Sequence, residues 1–163
     1  MAEPRRDSSI PPPTLKDGKI LIVEARYYEE IGAMLMEGAR RAIEAAGAAF
    51  DVIRVPGALE IPIAAAIALD KAAAKQLYDG FVALGCVIRG DTFHFEIVAG
   101  ESSRALMDLG VARGLPLGNG ILTVENEAQA IERADPAQGD KGGDAARAAI
   151  ALAALKRKLS AGR

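Results

Sequence analysis

Residues 19–55 read KILIVEARYYEEIGAMLMEGARRAIEAAGAAFDVIRV, and a change of period inside this stretch decides the fold. Ile20 to Val23 is a short apolar, largely β-branched run, the pattern of a strand buried on both faces, and it stops at the polar cluster Arg26-Tyr27-Tyr28. From Ile31 the spacing becomes helical. Met34, Leu35, Gly38, Ala39, Ala42, Ile43 and Ala46 follow at i, i+3, i+4, with Glu37, Arg40, Arg41 and Glu44 on the other face. Gly47 supplies the C-terminal stop, and Phe50 to Val55 reads as a second strand.

The alternation continues downstream. Pro56-Gly57 marks a turn, Ile61 to about Gln76 an Ala-rich helix, and Phe81 to Ile88 a third strand that runs into Arg89-Gly90-Asp91-Thr92. A helix follows from about Phe93 to Gly110 or Gly114. Gly120 to Val124 forms a fourth strand, and Asn126 with Gln129 makes a capping-box-like start to a short helix ending near Ala134. Asp135 to Gly143 reads as a loop. The last helix, about Asp144 to Leu159, places Ala148, Leu152, Leu155 and Leu159 on one stripe, and Lys156-Arg157-Lys158 in its final turn oppose the helix dipole. Residues 1–18 are polar, carry Pro11-Pro12-Pro13 and show no apolar period, so they are expected to be a flexible tail on a single domain spanning 19–163. Strand and helix in strict alternation predict a parallel sheet built from right-handed βαβ units, with helices on both faces and a ligand beyond the carboxyl ends of the strands.

Composition narrows the function classes. Twenty Lys and Arg stand against 22 Asp and Glu, a formal charge of -2 that gives no electrostatic reason to expect nucleic acid or an anionic membrane. One Cys and one His can form neither an intramolecular disulfide nor a four-ligand zinc site. No apolar segment follows the N-terminal arginines, and the longest apolar run, Ile61 to Leu69, is far short of a bilayer span. A cytoplasmic protein is the expectation.

The sheet-edge rule selects four loops: Arg26 to Glu29, Pro56 to Glu60, Ile88 to His94, and Glu125-Asn126. His94, the single histidine, falls at a helix start within them, where an imidazole is placed to move protons; the plainer reading is a surface or hydrogen-bonded histidine. Gly90-Asp91-Thr92 either cradles an anion on free backbone N–H groups or is an ordinary turn with Asp91 or Thr92 as N-cap. Tyr27 and Tyr28 offer rings to a planar heterocycle or cover the sheet end. Glu60 accepts hydrogen bonds from a polyol or caps its helix. Gly118-Asn119-Gly120 leads into a strand rather than out of one, so it is not a dinucleotide fingerprint, and no Walker A sequence occurs.

Four motifs taken together resemble those of lumazine synthases: Val55-Pro56-Gly57-Ala58-Leu59-Glu60-Ile61-Pro62, then Leu84-Gly85-Cys86-Val87-Ile88-Arg89-Gly90 leading to His94, then Gly120-Ile121-Leu122-Thr123-Val124-Glu125-Asn126, then Ile131-Glu132-Arg133-Ala134 with Gly139-Asp140-Lys141-Gly142. The resemblance spans Lys19 to Leu159. It implies a flavodoxin-like, three-layer α/β/α sandwich with a four-stranded parallel sheet. It also implies condensation of 5-amino-6-(ribitylamino)pyrimidine-2,4-dione with 3,4-dihydroxy-2-butanone 4-phosphate to 6,7-dimethyl-8-ribityllumazine in riboflavin biosynthesis, without metal or redox cofactor.

By the same resemblance, Tyr27 stacks on the pyrimidine and Ala58, Leu59 and Glu60 hold the ribityl chain. Backbone of Cys86, Val87 and Ile88 meets the polar edge of the ring, Gly90, Asp91 and Thr92 hold the phosphate, and His94 shuttles protons. A neighbouring subunit of a homopentamer contributes Arg133 to the phosphate and Lys141 to the heterocycle. Asn119 stands where relatives commonly place an aromatic over the ring; Tyr27-Tyr28, Leu59 and Cys86 stand where many have Phe-Asn, Phe and Thr. A paralogue that binds a lumazine or flavin without turnover, and a self-assembling shell, are the competing readings. Pro11-Pro12-Pro13 and Asp135-Pro136 favour an isolated pentamer over a sixty-subunit shell.

Overall fold

The computed structural model describes residues 9–72 and 77–162. Four parallel strands, β1 (Lys19–Ala25), β2 (Ala49–Val55), β3 (Gly80–Ile88) and β4 (Leu117–Val124), form one sheet in the order β2-β1-β3-β4. Five helices connect and cover them: α1 (Glu29–Ala45), α2 (Glu60–Ala72), α3 (His94–Arg113), α4 (Glu127–Ala134) and α5 (Lys141–Ala161). This is the parallel sheet with helices on both faces that the alternation predicts, and the three-layer, flavodoxin-like sandwich that the resemblance implies.

The period of two along the strands divides the core. Ile20, Ile22, Val82, Leu84, Leu122 and Val124 point to the layer of α1, α4 and α5, where they meet Leu35, Ile43, Ala146 and Ile150. Leu21, Val23, Phe81, Ala83 and Ile121 point the other way, to Ile61 and Ala65 of α2 and Leu106 of α3. Small residues set the first layer's spacing. A Cβ on Gly118 of β4 would lie 1.8 Å from the Ala145 carbonyl oxygen of α5, and one on Gly142 would lie 2.0 Å from that of Leu35 in α1. Backbone meets backbone at both points.

The boundaries shift where tertiary contact overrides local propensity. Helix α5 begins at Lys141, not Asp144: Asp140, at φ 45°, is its N-cap and accepts the Gly143 N–H at 3.2 Å, so Gly142 and Gly143, which read as loop, form its first turn. Strand β4 begins at Leu117, three residues before the expected Gly120. Phe93 is the N-cap of α3, without a side-chain cap, so neither Asp91 nor Thr92 caps it. The expected end of α2 at Gln76 lies outside the described residues. Asn126 caps α4 as anticipated, accepting the Gln129 N–H at 3.0 Å, while the Gln129 side chain reaches back to the Glu125 N–H.

The folded body also begins upstream of Lys19. Leu15 is 2% exposed, in the α1 layer of the core, and its N–H donates to the Ala46 carbonyl at 2.8 Å. Its burial is worth about 1.5–3 kcal/mol, which corrects the expectation that everything before Lys19 is tail. Lys158 stands in the last turn of α5, as the dipole reading has it, while the other two cations reach across the fold. Lys156 donates to the carbonyl of Gly114, the left-handed C-cap of α3, at 3.0 Å, and Arg157 donates to the Lys16 carbonyl and pairs with Asp79.

Candidate active site

Strand β1 leads into α1 on one face of the sheet and β3 into α3 on the other, so a crevice opens between their carboxyl ends. A cleft of about 510 Å³ occupies it. Its wall is made from the ends of three strands: Tyr27 and Tyr28 after β1, Gly57 to Glu60 after β2, and Cys86, Val87, Ile88, Gly90, Thr92 and His94 from β3 into α3, with Phe95 and Val98 behind. Ten of the residues expected from the sequence thus converge. Asp91 belongs to the same loop but is not on the wall. Tyr28, Gly57, Phe95 and Val98 complete it; for Phe95 and Val98 the legible signal was helical spacing from His94, which brings i+1 and i+4 to one end of the helix.

The side chains differ in readiness. Tyr27 is 74% exposed and stands edge-to-face on Tyr28, centroids 5.2 Å apart, so its outer face is open to a planar ligand. Burial raises the Tyr28 phenol above its ordinary pKa, with Cys86, Tyr27 and Glu127 adding to the effect, and it stays protonated. Burial pushes the Cys86 thiol up to about 11, which removes it as a nucleophile at neutral pH. His94 is exposed at the first position of α3 and has no hydrogen-bond partner among the described residues. No side chain caps this 20-residue helix at Phe93, and a Cβ on Gly90 would meet only open space.

Glu60 opens α2 and makes no side-chain hydrogen bond among the described residues. Its carboxylate folds back over Gly57, where a Cβ would come within 2.9 Å of Oε2. Among the described residues it is also the only formally charged side chain on the cleft wall. The nearby Arg89 is committed elsewhere: its guanidinium pairs with Glu96, bonds Glu125 at 2.8 Å and lies 4.2 Å above the Phe95 ring. That pins the loop to α3 and to the residue that follows β4.

Three expected residues stand apart from the cleft. Arg133 donates to the Gln129 carbonyl at 3.2 Å, and Lys141 lies 3.3 Å from Asp144. Asn119, on edge strand β4, accepts the Ile121 N–H at 3.0 Å and faces Ser103. It lines a second groove, about 1000 Å³, between α3, β4 and α5, whose walls are mainly apolar, including Leu106, Met107, Val111, Leu152, Leu155 and Leu159. That groove is the larger of the two. Its two cations are engaged, Arg113 with Asp70 and Lys156 with the Gly114 carbonyl, so the smaller cleft is the candidate site.

Comparison with known proteins identifies the family. The family model of 6,7-dimethyl-8-ribityllumazine synthase matches residues 17–157. A 6,7-dimethyl-8-ribityllumazine synthase of Methylocella silvestris is 62% identical over 162 residues, 99% of each chain. One from Azorhizobium caulinodans is 60% identical over 97% of this chain and 98% of its own, and one from Rhodopseudomonas palustris 57% identical over 99% and 100%. With a family model over most of its length and relatives about 60% identical along nearly the whole chain, the chain belongs to the 6,7-dimethyl-8-ribityllumazine synthase family.

Proposed function

We propose that the protein is a transferase that condenses 5-amino-6-(ribitylamino)pyrimidine-2,4-dione with 3,4-dihydroxy-2-butanone 4-phosphate to 6,7-dimethyl-8-ribityllumazine, in riboflavin biosynthesis. The observation that carries this reading is the convergence, in a chain of this family, of an open tyrosine face, a free carboxylate and a free imidazole around one uncapped helix start. Tyr27 stacks on the pyrimidine, Ala58, Leu59 and Glu60 take the ribityl hydroxyls, and backbone of Cys86, Val87 and Ile88 reads the ring's polar edge. The phosphate rests at Gly90, Asp91 and Thr92.

The pyrimidine amine attacks the butanone carbonyl and loses water to give an imine; phosphate is then eliminated, and the ribitylamino nitrogen closes the ring with loss of a second water. Each stage moves a proton, and His94 is the group placed to carry it, a contribution of about 10²–10⁴-fold. Orientation of two substrates in one cleft supplies much of the remainder.

The same reading makes the active unit an oligomer. A phosphate in this cleft would find Glu60 but, among the described residues, no lysine or arginine of its own chain on the wall. Arg133 and Lys141 are therefore assigned to a neighbour's cleft, and the apolar groove between α3 and α5 to the contact. Five copies in a ring is the assembly we propose, in the cytoplasm, where Cys86 remains a free thiol. Mixing the two substrates with purified protein and following lumazine absorbance tests the reaction; a rate equal to the uncatalysed one sinks it in favour of a binding paralogue. Analytical ultracentrifugation tests the assembly. A mass near one chain defeats the shared site, and a mass near sixty chains defeats the pentamer.

A further inference from the structure

Behind the cleft wall lies Glu24, 1% exposed and the one buried charged side chain among the described residues. It sits next to last in β1, on the face toward α1, in a strand otherwise apolar from Ile20 to Ala25. Its Oε2 accepts Arg26 Nε at 3.0 Å and its Oε1 accepts Arg54 Nε at 2.6 Å. Arg54 stands directly opposite Glu24 on β2. A carboxylate so far from water needs both partners, whereas an aliphatic residue would satisfy the strand at no such cost.

Both arginines border loops of the cleft. Arg26 opens the turn that carries Tyr27 and Tyr28, and Arg54 comes two residues before Pro56, where the turn bearing Ala58 and Glu60 begins. The Arg26 stem rests on Gly32 of α1, where a Cβ would approach its Cγ to 2.8 Å, and its Nη1 reaches Glu29 at 3.5 Å. One carboxylate thus joins the two loops to each other and to the sheet. Among the described residues it makes no hydrogen bond or ion pair with the 89–94 loop.

We propose that Glu24 is a positioning residue for the pyrimidine substrate: through Arg26 and Arg54 it fixes the separation of the Tyr27 and Glu60 loops, and leaves the binding of the butanone phosphate alone. This rests on the assignment of the pyrimidine to those loops. Glu24→Gln keeps the shape but turns one acceptor into an amide donor facing a guanidinium. Its KM for the pyrimidine should rise about tenfold, with kcat and the KM of the butanone phosphate changed less than about twofold. Arg54→Gln removes a side chain that is 62% exposed and should show the same selective rise, about threefold. Gly32→Ala leaves all three charges, introduces a better helix former and displaces the Arg26 stem; it should move the same constant.

Initial rates with each substrate varied, thermal melts and calorimetric titration of the pyrimidine alone decide the matter. Folded variants with an unchanged pyrimidine KM, or with both KM values raised alike, overturn the proposal, since a purely structural role lowers Tm and active fraction without that selectivity. If Glu24→Gln does not fold, Arg54→Gln and Gly32→Ala are judged by the same criterion. Wild-type protein that binds the pyrimidine without turnover overturns the catalytic reading only, and the variants are then compared by Kd. Wild-type protein that does not bind the pyrimidine overturns both.

Discussion

The two helical layers are built to different specifications. Over one face of the sheet, α1, α4 and α5 close down on glycines and alanines until backbone touches backbone, and most of the core's buried small residues lie there. Over the other, the 20-residue α3 buries only Ser102 and Leu106, and Ile63, Ile67, Ile97, Met107 and Val111 remain exposed on α2 and α3. The closed layer secures the fold. The open layer supplies His94 and Glu60 from the first residues of its two helices and leaves apolar surface exposed.

The largest expected effect tests closure. Gly118→Ala puts a Cβ against the Ala145 carbonyl, and since neither backbone can yield cheaply, unfolding in urea should reveal a loss of about 3 kcal/mol. A variant as stable as its parent would show that the layer has slack. The open layer should respond in the opposite sense. His94→Ala should leave Tm unchanged while kcat falls about 100-fold and KM little; an unchanged kcat removes His94 from the chemistry.

Arg133→Ala, at the margin of the closed layer, should raise the KM of the butanone phosphate about tenfold through loss of charge-assisted hydrogen bonds. Mixed with the His94→Ala protein under subunit exchange, it should regain activity, because some hybrid clefts would carry both groups; no regain means that the site lies within one chain. The smallest effect belongs to the solvent face of α1. Hydrogen bonds from Arg40 and Arg41 hold the Glu37 carboxyl down at about 2, against an ordinary 4.5. A depressed carboxylate stabilises above its unfolded pKa, and that contribution is lost as pH falls through the folded value. Glu37→Gln and parent should therefore converge as pH drops from 4.5 toward 2, with only a slight, salt-sensitive gap at neutrality because the triad is exposed. A large gap there would give α1's outer face a weight comparable to its inner one.

The sequence was most legible where a local rule and the tertiary structure agree. The apolar run of β1, the helical spacing of α1 and the Asn126 cap each needed only near neighbours, and the cleft followed because its residues trail strand ends. Where burial was decided at a distance, the reading failed. Gly142-Gly143 looks like a loop until the Leu35 carbonyl lies beside it, and Leu15 has no periodic company to announce its place. In α5 the eye takes Leu152, Leu155 and Leu159 as the packing stripe, yet these are exposed and Ala146, Ala149, Ile150 and Ala153 face inward. Glu24 passed unremarked because charge in a strand reads as solvent exposure.

A cleft wall whose only formal side-chain charge, among the described residues, is negative also bears on dosage. Under the shared-site reading a newly made chain is inert until it meets its own kind, so activity per chain should climb steeply with expression level and fall on dilution. A second, inactive allele would then poison the assemblies it enters, and the severity would track how many sites each defective copy completes for its neighbours.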